Sequence, residues 1–113
     1  MTLPRAARLL RRREFLTVQQ HGRKLYAGDV LVLARDAGRA RPRIGITVSS
    51  KIANAVGRNR VKRWVREAFR AVQAGLPPVD LVVIARRGAP EMGLAGARRA
   101  LEAARAALAE AGA

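Results

Sequence analysis

The stretch KIANAVGRNRVKRWVREAFR, residues 51–70, decides how this chain folds. Helical period runs from about Arg58 to Gly75. At 100° per residue, Val61, Val65, Ala68 and Val72 fall within about 60° of one another, flanked by Trp64 and Phe69. That stripe predicts a helix laid against a sheet. On the opposite side Lys62, Arg63, Arg66 and Arg70 fall within about 100°, with Arg60 further round and Glu67 as the only acid. Six basic side chains within residues 58–70 repel one another, at a few tenths of a kcal/mol for each like-charged pair four apart. An isolated helix gains nothing from such spacing, whereas a polyanion on the exposed face relieves it. Asn59 costs roughly 0.5 kcal/mol against alanine inside a helix. It reads equally as a ligand for a phosphate, a metal-bound water or a backbone group, or as an N-terminal cap.

Working outward, LVVIA at residues 81–85 follows Pro77, Pro78 and Asp80 and is continuously apolar, as a strand buried on both faces would be. Residues 93–111 predict a closing helix with Leu94, Ala97, Leu101, Ala104 and Leu108 on one stripe. Upstream, residues 25–35 and 43–49 are rich in Val, Ile, Leu and Thr, and the turn-forming segment 36–42 between them predicts an antiparallel hairpin. Residues 12–20 carry Phe15, Leu16 and Val18 and end at Gly22, which suits a short first helix. The fold class is therefore α+β, a two-layer α-β sandwich. A chain of 113 residues suits one domain, residues 1–113, with a single core.

Charge narrows the partner. Lys and Arg number 23 against 8 Asp and Glu, a net +15, which favours a polyanion. Residues 1–70 hold 18 basic and 4 acidic side chains, and residues 71–113 hold 5 and 4. One part of the chain is built to meet something acidic, and the remainder reads as scaffold. Nucleic acid is the leading partner and an anionic membrane surface the next.

Several chemistries are excluded. Cysteine is absent, which removes disulfides, thiolate nucleophiles and zinc-thiolate sites. With one histidine, His21, a His-rich metal site is excluded too. His21 sits beside Gly22 in a helix-ending turn, where capping or exposure suits it better than catalysis. A self-sufficient nuclease needs metal-binding carboxylates or a positioned acid and base, and Asp29, Asp36, Glu67 and Asp80 show no such spacing. Gly57 before Arg58 opens GRNR at a helix start but is no P-loop. No catalytic residue is assigned. No apolar run approaches the roughly 20 residues that span a bilayer, and the start of the chain lacks an apolar block behind its positive charges. The expectation is a soluble, cytoplasmic protein with no membrane partner.

The residues also carry a family resemblance. GITVSSKIANAVGRNRVKRWVREAFR, residues 45–70, closely resembles the signature of the bacterial ribonuclease P protein component. That signature is an Arg-Asn-Arg motif followed by Lys-Arg and a further Arg, here Arg58, Asn59, Arg60, Lys62, Arg63 and Arg66. LLRRREFLTVQQHG, residues 9–22, resembles the family's opening helix, with Phe15 and Gly22 in the family's places. VDLVVIARRGA, residues 79–89, resembles its last strand. About 80 of the 113 residues align, while the final helix matches only in type.

The resemblance implies an element order α-β-β-β-α-β-α, with a left-handed crossover joining two parallel strands through the motif helix. That hand runs against the general rule. It further implies a protein that assists a catalytic RNA in removing the 5′ leader from precursor tRNA. Chemistry and Mg2+ would belong to the RNA subunit, and the protein would act as a monomer in a 1:1 complex. Arg58, Asn59, Arg60, Lys62, Arg63 and Arg66, with Lys51 and Arg70, become RNA contacts. Phe15, Ser49, Ser50 and Asn54 border the groove for the leader. The family also associates a metal ion with the motif region. Three departures stand out: Gln19 where a second aromatic is common, Ser50 before Lys51 where two basic residues are frequent, and Ala53 in place of a glycine. Stacking is worth about 1–3 kcal/mol per base, so these departures imply leader binding that is weaker or leans more on charge. Apart from the resemblance, Phe15 reads equally as a core residue. Two other readings compete: a structural RNA binder such as a ribosomal protein, and a DNA-binding module using the motif helix. The second lacks a preceding helix to complete a helix-turn-helix.

Overall fold

The computed structural model describes residues 3–111. A 3-10 turn at Arg5–Ala7 precedes helix α1, Arg12–His21. Strands β1, Arg23–Ala27, and β2, Val30–Asp36, follow, and then β3, Arg43–Thr47. Helix α2, Ala55–Val72, runs into a 3-10 turn at Gln73–Gly75. Strand β4, Val79–Ala85, and helix α3, Gly93–Ala111, complete the order α-β-β-β-α-β-α.

The sheet corrects the expected hairpin. Residues 25–35 are not one strand, because Gly28 at φ +57° turns the chain between β1 and β2, a conformation glycine adopts without steric cost. Strands β1 and β2 make the antiparallel hairpin, and β3 never pairs with β2. The sheet order is β1-β2-β4-β3, with β4 antiparallel to β2 and parallel to β3. The apolar β4 takes an inner place, where every residue but Ile84 is buried, and α2 carries the chain from β3 to β4 as the crossover a parallel pair requires.

Helices α2 and α3 pack together on one face, making the two-layer sandwich. Val61, Val65, Ala68, Phe69 and Val72 of α2 meet Ala97, Ala100, Leu101, Ala104 and Leu108 of α3 over Val32, Ile44, Leu81 and Val83. Full burial of each large apolar side chain contributes about 1.5–3 kcal/mol. Leu94, expected on the α3 stripe, instead stays 38% exposed in the first turn. On the reverse face, α1 covers part of the sheet through a smaller cluster of Leu9, Val18, Leu33 and Val82, with Phe15, Leu31 and Ile84 at its border. Asp80 is the buried charged residue among those described. Arg43 binds it through Nε at 2.8 Å and Nη2 at 2.7 Å, while Arg43 Nη1 donates to Glu14 Oε2 at 2.8 Å. Glu14 Oε1 accepts from the backbone N–H groups of Leu10 and Arg11. The start of α1 is thereby fastened to β3 and β4.

Candidate nucleic-acid interface

Residues 48–54 turn the chain from β3 into α2, with Ile52 N–H donating to the Ser49 carbonyl at 3.1 Å. Ser49, Ser50 and Lys51 are exposed there. Helix α2 begins three residues earlier than the sequence suggested, at Ala55. Asn54 is the N-cap, its Oδ1 accepting from Gly57 N–H at 2.9 Å, and this satisfies one of the orphan donors of a helix start. The capping reading of Asn59 is therefore corrected, and GRNR does not open the helix. Asn59 lies in the second turn and is exposed. Arg58 folds back, its Nη1 donating to the Ala53 carbonyl at 2.9 Å, so its guanidinium ties the turn to the helix.

The basic face of α2 splits into two. Asn59, Arg60 and Arg63 surround a shallow depression with the exposed Val56. Lys62 and Arg66 turn the other way, toward the β3 edge, and share a depression with Arg8, Phe15, Gly45 and Ile46. Among the described residues Arg60, Lys62, Arg63 and Arg66 enter no ion pair. Their charges are therefore uncompensated within the fold. Arg70 lies in the last turn of α2, outside both depressions.

Phe15 meets its core reading in part. Its ring borders the smaller core, and a Cβ at Gly45 would stand 2.5 Å from two of its ring carbons, so the absence of a side chain at Gly45 is what lets the ring lie on β3. It is only partly buried. Beside α1 the sheet continues uncovered. Register places Thr47 beside Ile84, Ile84 beside Leu31 and Leu31 beside Tyr26, one row crossing all four strands. Side chains alternate along a strand, and Leu25 and Ala27 pack into the main core, so Tyr26 belongs to the α1 face. Thr47, Ile84 and Leu31 are half-buried and Tyr26 exposed, so this row is the floor of a candidate groove with α1 as its wall.

Sequence reasoning missed Arg8, Tyr26 and Arg86. Arg8 Nε is buried without a hydrogen-bond partner, and Arg8 joins the site only because residues 8 and 9 run along the β3 edge, where Leu9 N–H donates to the Ile44 carbonyl at 2.9 Å. No local pattern announces that. Tyr26 had a signal, an aromatic at the outward position of an alternating strand. The Arg86 guanidinium stands 5.4 Å from its ring centroid. For a metal ion the fit is poor: Glu67 is the single acid on the ridge, and no three His, Cys, Asp or Glu gather as a metal site among the described residues. Nor is any described helix long and apolar enough to cross a membrane.

Comparison with known proteins agrees with this geometry. The ribonuclease P family model matches residues 3–109. The ribonuclease P protein component of Photorhabdus laumondii is 39% identical over 93 residues, covering 81% of this chain and 78% of that protein. Its counterpart in Chlamydia trachomatis is 45% identical over 87 residues, covering 76% and 72%. Among solved structures, the Staphylococcus aureus RNase P protein superposes with a TM-score of 0.78 at 30% identity, covering 87% of this chain and 91% of that one. The RNase P protein from Thermotoga maritima gives 0.75 at 37% identity, covering 84% and 91%. With its sequence motif, its element order and its sheet all of one kind, the chain belongs to the ribonuclease P protein family.

Proposed function

We propose that this chain is the RNA-binding subunit of a bacterial ribonuclease P, assisting a catalytic RNA in endonucleolytic removal of the 5′ leader from precursor tRNA. The observation that carries the reading is the depression shared by Lys62, Arg66 and Phe15, which makes the cationic ridge and the half-apolar groove one continuous surface. A folded RNA on the ridge and a single strand in the groove can then be held together. Arg60, Arg63 and Asn59 face the RNA subunit, and Lys51, Ser49 and Ser50 stand where the strand passes from groove to ridge. Arg58 and Asn54 act chiefly by shaping the turn. Arg70 adds charge at the far end of the helix.

The reaction itself is assigned to the RNA and its Mg2+, which supplies the activated water and stabilises the leaving oxygen. No step is routed through an ion held by this chain. Glu14 and Asp80 are both bound by Arg43 and cannot serve as a free acid and base. The protein's contribution is binding: it neutralises phosphates and holds the leader, as a cytoplasmic monomer in a 1:1 complex with the RNA. The test is cleavage of precursor tRNA by the cognate RNA subunit at low magnesium, with and without the protein. Stimulation is expected, with no cleavage by rigorously RNA-free protein. Cleavage by the protein alone, or no stimulation, overturns the reading.

A further inference from the structure

The chain has four aromatic residues, and the fold sorts them into two pairs. Phe69 is fully buried in the main core, and Trp64 packs against it. Phe15 and Tyr26 are the pair outside that core, and both lie on the α1 face of the sheet. Tyr26 is 68% exposed, the highest value among the exposed large hydrophobic residues. Burial therefore does not explain it.

Its surroundings are those of a base-stacking position. Tyr26 ends the row Thr47, Ile84, Leu31, Tyr26 that floors the groove. Three interstrand spacings of about 4.8 Å put it about 14 Å across the sheet from β3, where Phe15 lies on Gly45. The Arg86 guanidinium over its ring and the exposed Lys24, two residues away on the same face, provide positive charge for a strand's phosphates. An exposed aromatic ring flanked by cations on a sheet surface is the arrangement that holds single-stranded nucleic acid by stacking and charge. The second turn of the wall helix, where an aromatic could do this, carries Gln19 instead.

We propose that Tyr26 is a second stacking platform for the single-stranded leader, so that the groove grips the RNA at two places, Phe15 at the β3 end and Tyr26 at the β1 end. The inference rests on the leader reading given above. At about 3.4 Å per stacked nucleotide the two rings are about four nucleotides apart, fewer if the strand is extended. Tyr26 thus acts only on leaders long enough to reach it, and it discriminates by leader length rather than by sequence, since every base offers a π-face.

The test uses the reconstituted holoenzyme and measures dissociation constants for mature tRNA and for precursors with leaders of about two and about eight nucleotides, lengths chosen on either side of that reach. Tyr26→Ala is expected to weaken binding of the long-leader precursor about five- to tenfold and to leave the other two ligands unchanged. Tyr26→Phe, which keeps the ring, should bind like wild type. Against wild-type protein, a long leader made abasic at the nucleotides that reach β1 should lose affinity to the same extent, a result independent of any protein variant. Equal affinity of Tyr26→Ala and wild type for the long leader, or an equal loss for all three ligands, overturns the proposal. Phe15→Ala separates the two levels. If it weakens both precursors while Tyr26→Ala and the abasic leader change nothing, leader binding stands and Tyr26 is not part of it. If neither variant responds to the leader at all, the leader reading fails with it.

Discussion

At the residue scale, Arg43 joins two acids that the sequence left scattered. Its bidentate grip on Asp80 holds the guanidinium more firmly protonated than usual, and Glu14 adds to this. Partial burial pushes the Glu14 carboxyl up, but hydrogen bonds from the Arg11 N–H, the Arg43 guanidinium and the Leu10 N–H outweigh it and bring its pKa down to about 2 from an ordinary 4.5. A carboxyl depressed in this way stabilises the fold fully above pH 4.5, and that contribution is lost as pH falls from 4.5 toward 2. Glu14→Gln is expected to cost about 2 kcal/mol at neutral pH and to flatten the dependence of stability on pH across that window. Denaturant melts of both proteins at a series of pH values between neutral and pH 2 check this. Parallel curves would assign the acid sensitivity to other carboxyls. The linkage reaches function because Glu14 and Phe15 are adjacent on α1: what anchors the helix over β3 also sets where the groove wall stands.

At the element scale, α2 carries two independent tasks on its two faces. Val65 is fully buried, so Val65→Ala removes core contacts and should cost roughly 1–3 kcal/mol of stability. Arg60 is exposed, and Arg66, although half-buried, enters no ion pair among the described residues. Arg60→Ala and Arg66→Ala should therefore leave the melting temperature nearly unchanged while weakening association with the RNA subunit. Thermal melts alongside a binding titration separate the two faces. A large drop in melting temperature for Arg60→Ala, or full RNA affinity for both arginine variants, would contradict the division. The split of the ridge adds a finer expectation: Arg66, which faces the groove, should also affect precursors through their leader, whereas Arg60 should affect RNA-subunit binding alone.

At the scale of the whole molecule, the net +15 is spread over surfaces on both sides of the β3 edge. Beyond α2, arginines 5, 8, 11, 13, 39 and 43 border a depression around Glu14 at the start of α1. Such a distribution predicts binding driven by counterion release. With about six phosphates engaged, the slope of log affinity against log salt concentration is expected to be on the order of −4 to −5. Titrating labelled RNA subunit with protein at several salt concentrations gives that slope directly. A value near zero would mean that the basic surface is not the interface.

Local period and chemistry in the sequence sufficed for the helix stripe and the buried strand at 81–85, because each is written in neighbouring side chains, and the motif at residues 58–66 sufficed for the family. Helix starts were less legible. Asn54 and Asn59 are both competent caps, and only the turn fixed by Ile52 and Ser49 selects Asn54. Local pattern alone points to a hairpin of residues 25–35 with 43–49, whereas the family resemblance implies parallel strands joined by the motif helix. The structure pairs β3 with β4, since pairing depends on how the layers assemble rather than on neighbouring side chains. Tertiary structure alone decided that Lys62 and Arg66 face Phe15 while Arg60 and Arg63 do not. The sequence sets the angles of side chains around α2, but where those angles point depends on how the helix crosses the sheet. Tyr26 is the clearest case. Its outward position follows from strand alternation, yet its place in a row with Leu31, Ile84 and Thr47 exists only once four strands from distant parts of the chain lie in register.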